Sequence, residues 1–349
     1  MTDLDQRIVR TLRERAEGTV DTDRLLSRAV AGGRVRRRRR RAGAGTALGL
    51  AAVLGFSVVA GTGLPERVRP PDAAVPSAAT VAPSRAEGVP GAAARPDLVG
   101  TDPRVLHFGV DTARVRYLEW EVGSGVEGVR VAVGSGPPVT VQLASSAALL
   151  QPGPDGTPTP VAWPTAEEAF DGADRPHRET GQAVSWVRLW RPAPGLYARA
   201  AVTAATAREI DVAVGFLRLD EARHCSAPAR LTTLPARARL SGCAVDVAAF
   251  PEAMIASLRV GSAGGQEMTV SFQYSRSMGE GRTTGNRTIG GRPAYLYPRG
   301  DQLELLGIPK AHLIVEFGWP FAGFTEADAT VLLAGAQVAA DPADPETWD

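Results

Sequence analysis

A chain of 349 residues with 44% hydrophobic and 22% charged side chains is long and apolar enough for one or two packed domains, which excludes a disordered or fibrous polypeptide. Its formal net charge of +1 hides an uneven distribution: residues 1–41 hold thirteen arginines against six acids, residues 42–64 hold no charge, and the remainder is net negative by six. A basic head on a mildly acidic body gives the body no electrostatic reason to bind nucleic acid, and no nucleic-acid partner is expected.

In the head, Leu4, Ile8, Leu12 and Ala16 recur four apart, the stripe of an amphipathic helix. Asp3 and Asp5 fall in its first turn and Arg13 and Arg15 near its end, both favourable to the helix dipole, and Gly18 ends it. A second short helix follows, with Leu25, Leu26, Ala29 and Val30 as its apolar face and Gly32-Gly33 as its stop. Two such helices have apolar faces but no core, so they call for each other, a membrane surface or a cytoplasmic protein partner.

Arg34, Arg36, Arg37, Arg38, Arg39, Arg40 and Arg41 then abut Ala42–Leu64, 23 residues without a charge. As a helix this stretch spans about 34 Å at ~1.5 Å per residue, enough to cross a hydrocarbon core of about 30 Å. Positive charge stays cytoplasmic, so the seven arginines set the topology: N-terminus inside, C-terminus outside, in a plasma membrane with the lipid bilayer as first partner. A cleaved signal peptide is the rival reading, but its apolar region is shorter and its N-terminal region is short, whereas here 41 residues precede the apolar stretch. The arginine run also fits a nucleic-acid or nuclear-localisation motif, a reading that its contact with the apolar span disfavours.

A short helical head, an arginine run, one span and an extracytoplasmic part together resemble the layout of membrane-bound anti-sigma factors of actinobacteria. The resemblance covers the first 64 residues or so and implies a cytoplasmic protein partner for residues 1–41. The His-x3-Cys-x2-Cys zinc signature of many such regulators is absent, because residues 1–64 contain no His or Cys.

Residues 65–98 carry seven prolines among Ala, Ser and Gly and read as a semi-extended linker. From about residue 99 the texture changes to short alternating runs separated by Gly/Pro turns: 113–122, 129–133, 139–144, 183–190 and 209–219, then 240–247, 267–274, 292–297, 302–307 and 312–318. The last element is a helix over 325–339, with Thr325 as N-cap and Asp328 completing a capping box. The expected fold is α+β: a transmembrane helix followed by a β-rich extracytoplasmic region of two similar antiparallel-sheet-plus-helix modules, 99–224 and 225–341, with a tail at 342–349. The similarity of 211–222 to 314–329, offset by about one hundred residues from Ile210 to Leu313, carries the two-module reading. One continuous β-rich domain is the alternative.

Cys225 and Cys243, 18 positions apart, cannot close a zinc site alone. Outside the cytoplasm they form one disulfide, worth about 3 kcal/mol by loop entropy; buried free thiols are the alternative. No catalytic, cofactor-binding or metal-ligating residue is assigned. The G-x-G-x-x-G match at 123–128 is followed by a strand-like run rather than a helix, so it reads as a hairpin turn and no cofactor is expected. His107, His177, His224 and His312 are scattered singly, as surface or packing residues. Glu119 and Glu121 share the wet face of a strand. Trp186 reads as core, and 317–324 is the one aromatic cluster that suggests an exposed surface. The function expected is non-enzymatic: binding an unknown envelope ligand, sensing or scaffolding. A transmembrane regulator and an unrecognised envelope enzyme are the alternatives.

Overall fold

The computed structural model describes residues 81–150, 170–177, 184–279, 281–318 and 323–348. The expected helices of the head, the arginines 34–41, the span 42–64 and the first part of the linker lie outside them. Among the described residues no helix is long and apolar enough to cross a membrane.

The chain runs through β1 (Val105–Leu106), β2 (Gly109–Val110), β3 (Val115–Gly123), β4 (Val126–Val133), β5 (Val139–Ala144), β6 (Asp174–His177), β7 (Ser185–Ala193), β8 (Leu196–Thr203), α1 (Arg208–Gly215), β9 (Leu217–Arg218) and β10 (Arg223–His224). It continues through β11 (Ala229–Leu231), β12 (Ala238–Asp246), β13 (Ala253–Ser262), β14 (Glu267–Ser275), β15 (Arg287–Ile289), β16 (Arg292–Leu296), β17 (Gln302–Leu305), β18 (Ala311–Glu316), α2 (Glu326–Ala334) and β19 (Ala336–Val338). Thirteen of these strands form one continuous antiparallel sheet in the order β15-β16-β17-β18-β14-β13-β12-β3-β4-β5-β8-β7-β6.

Period-two alternation explains why one face of this sheet is dry. A single row of register partners, Ala200, Val141, Val129, Trp120, Val245, Ala256, Phe272, Leu313 and Leu305, crosses nine strands. Every member of that row is buried. On the opposite face the neighbouring row carries Arg130, Glu119 and Asp246, where Arg130 Nε donates to Glu119 Oε2 at 2.9 Å and Nη2 to Asp246 Oδ2 at 3.0 Å. Glu119 and Glu121 thus share the outer face as expected, although burial beside its neighbours raises the Glu119 pKa.

The strand order follows one scheme on each side of the β3–β12 pair. Three meandering strands (β3-β4-β5 or β12-β13-β14) lead to a run that reaches the sheet edge and returns beside the third strand, at β8 or β18. A helix follows, then a short strand that pairs back to the one before the meander: β9 with β2, and β19 with β11. The counterpart of Ile210 therefore lies in α2, not at Leu313, and the hundred-residue offset read from sequence is corrected. The two expected modules share one sheet rather than forming separate bodies.

Three further expectations change. Residues 209–219 were expected as a strand, but most of them form α1, because Ile210, Ala213 and Val214 fall at helical spacing and the first two are buried against β4, β5 and β8. The linker ends sooner than residue 98: Val81, Ala86 and Ala92 are buried, and Ala92 N–H donates to His107 O and Ala93 N–H to Leu219 O. Small alanines pack where a flexible linker's composition was read. The tail is also part of the body, since Trp348 is buried edge-on against Phe250.

The terminal helix is capped as expected: Thr325 Oγ1 accepts from Asp328 N–H at 3.3 Å, and Asp328 Oδ2 accepts from Thr325 N–H at 2.9 Å. It is shorter than expected, because Gly335 ends it and β19 follows. The 123–128 motif is a hairpin turn, with Ser124 and Gly125 at φ 56° and 78° between β3 and β4. The aromatic cluster is corrected in part: Phe317 and Phe324 are core residues, and 319–322 lie outside the described residues. Trp186 packs against the core, half-buried.

Candidate functional site

The chain leaves the first half through β10, whose His224 is in register with Val105 of β1. One residue on, Cys225 N–H donates to Arg104 O at 2.7 Å, and the Cys225 side chain is bonded to Cys243 in β12. The disulfide is thus formed as the sequence led us to expect, and it ties the segment between the halves to the central strand pair. Cys243 stands in register with Val122 of β3 on one side and Leu258 of β13 on the other, so the bridge enters the core from the dry face.

β12 carries one extra residue, Ser241, against β13 between Leu240 and Gly242. Such a bulge bends a strand away from its neighbours and is common beside binding sites. Here it lies at the wall of a cavity of about 460 Å³. Leu231 and Leu234 from the β11 side, Leu240 of β12, Leu258 of β13 and Trp348 make its apolar wall; Ala227 and Ala229 keep space open with minimal side chains. The disulfide itself lines it. The polar lining comes from Arg104, His224, Arg230 and the hydroxyls of Ser84 and Ser226, whose Oγ atoms are 2.9 Å apart.

The charge of this lining is one-sided. Two arginines and a histidine line the cavity and no Asp or Glu does, in a body whose net charge is negative. Arg230 Nε is engaged by Gln337 Oε1 at 2.8 Å. The Arg104 side chain makes no hydrogen bond or ion pair to a described residue, although its backbone N–H donates to Asp102 Oδ1 at 2.9 Å.

A second cluster lies on the outer face of the sheet. His312 Nδ1 is 2.5 Å from Glu304 Oε1, and the Tyr297 hydroxyl donates to Glu304 Oε2 at 2.8 Å. Burial, and then the bond to Glu304, push the Tyr297 phenol up to about 12. A groove lined by Arg282, Thr283, Lys310 and His312 lies beside it. A glutamate-held imidazole is half of a nucleophilic relay, but among the described residues no hydroxyl or thiol is hydrogen-bonded to the His312 ring.

The sequence reading named Cys225 and Cys243 and passed over Arg104, Ser84, Leu240 and Trp348, which come from separate segments and share no motif. It also treated His107 and His312 as isolated, whereas each is held by a buried glutamate, Glu127 or Glu304. Among the described residues no group of three or more His, Cys, Asp or Glu is placed to hold a metal ion.

Fold and cavity define a class: a β-rich protein built on one large antiparallel sheet, with a disulfide-lined cavity between its two halves. Beyond the class, no family model, no curated protein and no solved structure matches this chain.

Proposed function

We propose that this chain is a single-pass plasma-membrane protein whose extracytoplasmic body is a non-enzymatic binding or sensing module, with the disulfide-lined cavity as its ligand site. The observation that carries this reading is the cavity itself: about 460 Å³, lined by four leucines and Trp348 together with Arg104, Arg230 and His224. That volume lies within the range of roughly 300–1,000 Å³ typical of ligand sites, and a mostly apolar pocket with a few convergent polar groups is their usual form. The disulfide supports an oxidising compartment for the body. The uncharged run 42–64 behind seven arginines supports a transmembrane helix with the N-terminus in the cytoplasm. The matching strand schemes of the two halves support two related modules fused through β3 and β12.

Photo-crosslinking tests the ligand site. The full chain in lipid nanodiscs is irradiated with a diazirine-bearing dodecyl probe, and adducts are mapped by mass spectrometry. Adducts on Leu234, Leu240 or Leu258 that vanish in Leu234→Trp are expected; adducts confined to 42–64 would refute the site. Reporter fusions after residues 30 and 90 test the topology, which predicts an inside signal from the first and an outside signal from the second.

The head supports a second element of function. Its apolar stripe Leu4, Ile8, Leu12 and Ala16 has no core of its own, which favours a cytoplasmic protein partner for residues 1–41 and a regulatory role in the manner of anti-sigma factors. Capture from cytoplasm with the full chain, compared with a Leu4→Glu/Ile8→Glu variant, decides it: no partner lost in the variant means no such role.

A further inference from the structure

We infer that the cavity takes a single-chain anionic amphiphile, with a carboxylate or phosphate head held by Arg104 and an alkyl tail laid along Leu234, Leu240 and Leu258. This rests on the binding reading above and names its ligand class.

The two kinds of lining ask for different things. The exposed Arg104 guanidinium has no partner among the described residues. The Asp102 carboxylate, two positions before it, accepts the Arg104 main-chain N–H instead. The backbone bond from Cys225 N–H to Arg104 O holds this residue at the disulfide, and the Ser84–Ser226 hydroxyl pair, one O–H of which is spent between them, offers one further donor on the same lining. Arginine presents a planar fork of donors that matches a carboxylate or phosphate in two bonds. With no acid on the lining, no lining carboxylate competes with an anion for Arg104.

The rest of the lining is mostly leucine, alanine and the disulfide. Trp348 Nε1 is already engaged by Pro342 O at 3.2 Å, so the indole offers the cavity apolar surface rather than a donor. An alkane would cover this wall and leave Arg104 unpaired. A bare anion would pair Arg104 and leave the wall facing water. A ligand with both ends satisfies both requirements.

The experiment is competition against the dodecyl diazirine probe on the full chain in nanodiscs of zwitterionic lipid. Competitors are decanoate, decyl phosphate, decanol and inorganic phosphate, scored only on adducts mapped to the cavity leucines. Decanoate and decyl phosphate are expected to displace the probe at about tenfold lower concentration than decanol, as a charge-assisted hydrogen-bonded head implies. In Arg104→Gln this advantage is expected to collapse while probe crosslinking persists, which shows that the variant is folded. Preference for one anionic head over the other assigns the ligand to a carboxylate or a phosphate source. Equal displacement by decanol, an anionic advantage that survives Arg104→Gln, or displacement by inorganic phosphate alone would each overturn the inference. Absence of any cavity adduct would instead overturn the binding reading beneath it.

Discussion

Glu127 of β4 and His107, between β1 and β2, meet in the core with Oε1 2.6 Å from Nδ1, the glutamate wholly buried and the histidine 3% exposed. The same carboxylate accepts two backbone bonds, from Gly100 N–H at 2.8 Å and His107 N–H at 2.5 Å. One side chain on the dry face of the sheet therefore holds Gly100 and His107 together.

Removing that anchor strands three partners at once, two of them on the buried His107 and one on the half-buried Gly100. Glu127→Ala is expected to cost about 3–5 kcal/mol, the range for breaking one partner of a buried pair. Denaturant titration of the full chain by tryptophan fluorescence measures it, and a loss below about 1 kcal/mol would show that water or a shifted neighbour satisfies the orphaned groups.

The disulfide closes an 18-residue separation between the halves. Cys225→Ala/Cys243→Ala is expected to lower stability by about 3 kcal/mol through loop entropy. Cavity crosslinking should fall with it, because the bridge lines the cavity. Thiol labelling without reductant should find neither cysteine in the native chain; labelling of both would contradict the bond.

Alkaline pH should weaken the fold in a defined window. Burial pushes the phenol of Tyr117, which accepts the Val110 N–H at 3.0 Å, up to about 12, and Tyr297 reaches about 12 as well. An unfolded chain releases these protons near pH ~10. A raised folded pKa gives stability that is complete below ~10 and is lost as pH climbs towards 12. Denaturation midpoints should therefore fall across that window, and Tyr117→Phe/Tyr297→Phe should flatten the slope. An unchanged slope would place the alkaline transition elsewhere.

Thr325 caps α2 through a reciprocal pair with Asp328. Thr325→Ala is expected to cost about 1 kcal/mol and Thr325→Ser only a fraction of that. Equal losses in the two variants would mean that the methyl group, not the hydroxyl, carries the effect.

Local chemistry made part of this protein legible in its sequence. The β-rich class follows from period-two runs punctuated by glycine and proline, and the α2 cap from Thr325 and Asp328, because these signals are complete within a few residues. The Cys225–Cys243 bond was expected because the sequence holds two cysteines, too few to close a zinc site and spaced to close one loop. Helix α1 was misread because its valines and isoleucine suit a strand as well as a short helix; packing against β5 and β8 decided the matter.

What the tertiary structure alone decided is anything that joins distant segments. Alanine-rich residues 81–98 look like linker in isolation, and only the backbone partners His107 and Leu219 show where they dock. His107 and His312 look solitary until the sheet brings glutamates to them from 20 and 8 positions away. The cavity draws Ser84, Arg104, Leu240 and Trp348 from four separate stretches, and none of them carries a motif. Sequence periodicity records which face of a strand is dry; which strands adjoin, and therefore what the dry faces enclose, is settled by long-range pairing such as that of β3 with β12.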